Sequence, residues 1–255
     1  MAEWLGAREG WGRVLGVTVY AAAMGYVEAA AVIYLRLLHG GVDPLTRVRV
    51  QPTTSLLSAE VGREVATIAM LAAVAALAGR GWAGRWGAFL LAFGTWDLAY
   101  YLFFAPLVGW PTSPLDWDVL FLIPLPWWGP VLAPALIAAA MVASGAVLLL
   151  REARGDVPAL HWPLAALGIA GAALCLYAFM ADAASAAGGG EAALRALRPT
   201  AFNWPLFLVG YAALAAGFLG TALAPSSAAG ARGQASETTA AFSSQARPDS
   251  APGMG

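Results

Sequence analysis

The chain contains no lysine: all 14 of its basic residues are arginine. That excludes a Schiff-base amine, a retinal linkage and a phosphate-loop lysine. There is one cysteine, Cys175, inside an apolar run, so neither an intramolecular disulfide nor a cysteine zinc cluster can form. Charged side chains make up only 11% of the residues, against about 25% in an ordinary soluble domain. The net charge of −1 gives no basic surface for a nucleic-acid partner. HExxH, CxxC, GxSxG and phosphate-loop patterns are all missing, and no cofactor is evident. The sequence therefore leans away from an enzyme, without excluding one.

What the chain has instead is apolar surface. Hydrophobic residues are 60% of the total, more than a soluble fold of this length can bury. The expected class is an all-α, polytopic integral membrane protein with the lipid bilayer as its main partner. A membrane helix needs roughly 20 predominantly apolar residues. Six segments meet that: about 14–38, 60–78, 86–108, 128–150, 160–181 and 204–223. Pro163 suits the first turn of the fifth, and Asn203 with Pro205 suits the start of the sixth. Arg8, Arg13 and the Ala21–Ala23 run imitate a signal peptide, but the apolar stretch continues to Leu38, too long for such a segment.

The connections differ. Residues 79–85 and 151–159 read as tight turns. Residues 39–59 form a longer loop in which "TRVRV" suggests an extended piece. Residues 109–127 are rich in Pro and Trp, with an apolar centre too short to span, so an interfacial or re-entrant segment is expected before the fourth helix. "EAALRALR" reads as a short helix. After Ala224 hydrophobicity is lost, which divides the chain into a six-helix transmembrane domain, 1–224, and a tail, 225–255, expected to be disordered and cytoplasmic. Arg8, Arg13, Arg80, Arg85, Arg151 and Arg154 flank alternate ends of the spans. The positive-inside rule then puts both termini in the cytoplasm of a cell with this protein in its inner membrane. Arg47, Arg49, Arg63, Arg195 and Arg198 run against that assignment.

The candidate chemistry is a set of acids in the apolar segments. Asp97 lies in "FGTWDLAYYLFF", where a carboxylate at mid-helix costs about 2.5–3.5 kcal/mol. Phe93, Gly94, Tyr100, Tyr101 and Phe104 share its side of a helix, and both tyrosine hydroxyls can reach a carboxyl group. Glu28 is in the first span. Glu60 and Glu64 lie four apart in the second, above Thr67. Arg63 and Arg36 are the nearby cations. One acid from each of the first three spans, Glu28, Glu64 and Asp97, can form an outer-half cluster. His39, on the same side, is a weak metal-ligand candidate. His161 falls on the opposite side.

Three readings follow. The acids and arginines are structural glue; or they bind a cation, a proton-coupled solute or a lipid, as a small carrier or binding protein does; or they act as a general acid/base pair on a lipid-linked substrate. A non-catalytic assembly subunit is the bland version of the first. The fourth to sixth spans carry almost no charge and read as scaffold, with Gly168, Gly171, Ala172, Ala213, Gly217 and Gly220 at helix-contact spacing.

Overall fold

The computed structural model describes residues 2–38, 54–197 and 199–226. Among the described residues lie seven α-helices, a short 3-10 turn (Ala187–Gly189) and one small hairpin: α1 (Ala2–Leu38), α2 (Thr54–Ala78), α3 (Trp82–Val108), β1 (Trp117–Val119), β2 (Trp128–Pro130), α4 (Leu132–Ala153), α5 (Trp162–Ala186), α6 (Gly190–Ala196) and α7 (Trp204–Leu223). Six helices, all but α6, are long and apolar enough to cross a membrane.

Four helices are longer than the apolar runs predict, among them α3, which begins at Trp82 within the stretch 79–85 that reads as a turn. α1 begins at Ala2 because the polar stretch before residue 14 contains good helix formers and an i,i+4 pair, Glu9 with Arg13. α2 begins at Thr54, and α5 runs to Ala186 through an alanine-rich end. α4 is displaced instead, starting at Leu132, because residues 128–130 belong to the hairpin. Asn203 caps α7 as expected, its side-chain oxygen accepting from the Leu206 amide at 3.1 Å. The "TRVRV" stretch and residues from 227 onward lie outside the described residues. Pro225 and Ser226, assigned to the tail by composition, are instead paired to the body. Ser226 bridges Pro158, and the Ala159 amide donates to the Pro225 carbonyl at 3.0 Å.

α3 is the central helix. It packs along α4, α1 and α2, while α4 also meets α7 and α1, and α5 pairs with α7. Small residues set the closest crossings. A Cβ on Gly94 of α3 would lie 2.5 Å from the Ala138 carbonyl of α4, and one on Gly217 of α7 would lie 2.5 Å from the Gly168 Cα of α5. Without a hydrophobic drive between helices in lipid, such approach supplies the packing energy.

A polar knot closes one end of the bundle. Arg13 bonds Glu9 (2.6 Å) and Glu152 (2.9 Å), and Arg80 also pairs with Glu9. Glu152 accepts from the backbone amides of Arg80 (3.2 Å) and Gly81 (2.6 Å), satisfying donors at the start of α3. Arg151 forks onto Asp156 and donates to the carbonyls of Ala222 and Ala224. These bonds gather the first turns of α1, the α2–α3 turn and the ends of α4 and α7 at the same face.

The segment before α4 lies toward the other end and does not span. β1 and β2 pair antiparallel, with Trp117 opposite Pro130 and Val119 opposite Trp128. Its tip folds back onto the helices. Phe121 packs on Phe93 and Trp96 of α3 and on Trp127.

Candidate functional site

The acids named from the sequence fall into two places. In the first, Arg63 of α2 pairs with Glu28 of α1 and with Glu60, one turn earlier on its own helix (2.9 Å). Thr67, also on α2 and buried, donates its hydroxyl to Glu28 at 3.3 Å. Glu28 and Glu64 are both buried. Glu64 is held differently: its two carboxylate oxygens accept from the Leu122 amide at 3.0 Å, at the tip of the hairpin segment. Helical spacing explains the grouping, since positions 60, 63, 64 and 67 share one face of α2.

Asp97 belongs to the second place. It lines a cavity of about 70 Å³ together with Phe93, Phe121, Trp127 and Phe179, among other apolar residues. Among the described residues it makes no hydrogen bond and no ion pair. The charged side chain that acts on it is another acid, Asp118 of β1. Tyr101, nearly full-buried at 8% exposure, turns its hydroxyl to Asp118 at 3.1 Å. No hydrogen bond or ion pair joins Asp97 to Glu28 or Glu64 among the described residues, so the three acids do not form one bonded cluster. Arg36 closes α1, and its side chain, like His39, lies outside the described residues.

From the sequence Asp116 and Asp118, with Trp110 and Trp117, read as the lining of an outer entrance or, more simply, as a headgroup-level loop; Asp116 does hold such a turn, accepting from Thr112 and Ser113. The hairpin register instead turns Asp118 toward α3. The wealth of Trp and Phe in residues 109–127 was the available signal that this segment packs on the helices. Phe179 of α5 was missed, because that helix reads as uncharged scaffold.

Chemically, the Arg63 group is self-satisfied: each acid has a donor, as polar groups in an apolar medium require. The Asp97 cavity is not, because it places an acid without a donor among the described residues beside a half-open space lined by apolar side chains, four of them aromatic. Among the described residues no group of three or more His, Cys, Asp or Glu side chains is arranged to hold a metal ion. No protein-family model, no curated protein and no solved structure matches the chain.

Proposed function

We propose that the protein is a small membrane carrier that takes up a cation or a proton-coupled solute at Asp97. The observation that carries this reading is the contrast in partners. Glu28, Glu60 and Glu64 are each held by Arg63, Thr67 or a backbone amide, whereas Asp97 lines a cavity without hydrogen bond or ion pair. An acid inside a span is costly and normally faces a partner or a pathway. The Arg63 group is then the glue that fixes α1 to α2. A water occupies about 30 Å³ in the liquid, so a cavity of about 70 Å³ suits a proton carrier, a small cation or a solute of a few heavy atoms.

The arginine distribution supports an inner membrane with the Arg13–Glu152 face in the cytoplasm. A reporter active only outside the membrane, placed after residue 112 or after residue 225, reads this directly. Activity at 112 alone is expected; activity at 225 alone reverses the orientation.

The carrier reading is tested in proteoliposomes containing a pH-sensitive dye, with imposed gradients of Na⁺, K⁺ or H⁺. A cation-dependent change of interior pH is expected for the wild type and for Glu60→Gln, and its loss for Asp97→Asn. Wild-type traces identical to those of empty liposomes, or equal flux by Asp97→Asn, overturn it.

A further inference from the structure

The outward side of α3 carries a strip that runs between two other helices. Trp82, Arg85, Trp86, Phe89 and Phe93 fall on one face of the helix by their spacing. Both edges of that face are occupied. On one, Ala88 and Ala92 pack with Leu71 and Ala75 of α2. On the other, Ala83 and Leu90 pack with Ala222 and Phe218 of α7. The backbones of α2 and α7 do not meet, and α3 reaches α7 only through side chains, Trp86 lying edge-on to Phe218 with ring centroids 6.4 Å apart. The strip is therefore the floor of a groove between α2 and α7.

The groove is charged at one end and aromatic along its length. Trp82, Arg85 and Trp86 are exposed. Among the described residues Arg85 makes no ion pair, whereas Arg13 and Arg80 pair with Glu9, and Arg151 pairs with Asp156. Glu152 is occupied by Arg13 and by the amides of Arg80 and Gly81. Beyond Arg85 the rings of Trp86, Phe89 and Phe93 follow one another at 5.8 and 5.9 Å, and Phe121 of the hairpin segment closes the far end, 6.2 Å from Phe93. The helix rises about 12 Å from Arg85 to Phe93, close to one leaflet's share of a hydrocarbon core about 30 Å thick. A cation above an apolar run of that depth complements an anionic headgroup above an acyl chain. A zwitterionic lipid would fill the groove but bring its own cation toward Arg85.

We infer that this groove binds an anionic phospholipid from the leaflet at the Arg13–Glu152 end, with its phosphate on Arg85 and one acyl chain laid along Trp86, Phe89 and Phe93 between α2 and α7. Trp82 and Trp86 bracket the headgroup, the depth at which amphipathic rings gather and their N–H groups find acceptors. Phe93 and Phe121, at the end of the chain's path, also line the Asp97 cavity. A bound chain therefore abuts the segment that borders Asp97, and the inference does not depend on what Asp97 binds.

The test is native mass spectrometry of the full chain released from micelles holding equal amounts of phosphatidylglycerol and phosphatidylcholine with identical acyl chains. One retained phosphatidylglycerol per chain is expected, in preference to phosphatidylcholine. Arg85→Gln should weaken its binding by about tenfold, the loss of a charge-assisted bond. Trp86→Leu should weaken it by about two- to fivefold. Arg154→Gln, which changes an exposed arginine at the end of α4, should leave it unchanged. The melting temperature of each variant is recorded beside its lipid binding, so that a loss of fold is not read as a loss of the site. Phosphatidylglycerol with a photoreactive diazirine at the chain end should label α3 around Phe89 and Phe93, or Phe121 opposite them. Equal retention of the two lipids by the wild type would show an ordinary lipid shell only, and overturns the inference. A phosphatidylglycerol preference that survives Arg85→Gln, or labelling confined to other helices, overturns it too. The liposome flux assay reads Asp97, a different residue, so either account can fail while the other stands.

Discussion

Glu28 and Asp97 are both acids set into membrane-spanning helices, and the fold treats them in opposite ways. Glu28 is clasped from α2 by the Arg63 guanidinium and the Thr67 hydroxyl. Asp97, on the next helix inward, borders a cavity without either kind of partner. Arg63 and the arginines of the opposite face are all paired but differ in setting. Arg13 and Glu152 also form a part-buried pair, yet theirs lies at helix ends, where backbone amides and water are within reach. A carboxylate in the apolar layer is thus either neutralised by design of the local sequence, as at 60–67, or left with capacity for something the chain does not supply. Depth alone does not separate structure from function here; partners do.

The largest effect should come from breaking the paired acid. Glu28→Gln leaves the half-buried Arg63 guanidinium with Glu60 as its remaining ion-pair partner among the described residues, and removing one member of a fully buried pair typically costs about 3–5 kcal/mol. A loss of about 3 kcal/mol is expected, the low end because Glu60 remains, measured by unfolding in mixed micelles. Replacing Arg63 with Met in the same chain should recover part of it. A Glu28→Gln protein as stable as wild type would erase the contrast with Asp97.

The second effect is at the Arg13 face. Glu152→Ala removes the Arg13 pair and the acceptor of two backbone amides, Arg80 and Gly81, at the start of α3, so a loss of about 1–2 kcal/mol is expected. Glu152→Gln, which still accepts, should lose less. Equal losses would mean that charge, and not the capping bonds, holds this face together.

The smallest concerns pH. Arg151, which forks onto Asp156, holds that carboxyl below its ordinary range. Because the folded value is depressed, its stabilisation is fully present above the unfolded value, about 3.9, and is lost as pH falls through the lower folded value. The pair is solvent-exposed on the Asp156 side, so the contribution should stay under about 1 kcal/mol. Melting curves of wild type and Asp156→Asn should converge below about pH 4 and separate slightly at neutral pH. A gap that widens as pH falls contradicts the assignment.

The six long helices were legible because apolar run length is a local property, and Pro163, Asn203 and Pro205 marked their starts. The first turns of α1 and α2 were not, since Ala2–Arg13 and Thr54–Ala59 carry too little hydropathy and rely on helix propensity and side-chain pairs. The polar face of α2 was legible from spacing, and so were Glu28 and Asp97 as residues that require explanation. Their partners were not. Glu28 meets Thr67 across 39 positions, Glu64 meets Leu122 across 58, and Tyr101 meets Asp118 through a hairpin register. Spacing within one helix cannot carry that information. A cluster of Glu28, Glu64 and Asp97 was therefore a natural expectation from spacing; the structure adds donors for Glu28 and Glu64 and, among the described residues, none for Asp97.

The most direct test of this division is the melting temperature of Asp97→Asn beside that of Glu28→Gln, in the same detergent and without added ligand. Asn keeps the shape and removes the charge. With no partner to lose, Asp97→Asn should melt at or above the wild-type temperature while Glu28→Gln melts well below it. A fall for Asp97→Asn as large as that for Glu28→Gln would show that Asp97 holds the fold together, and would contradict its assignment as the ligand-binding acid.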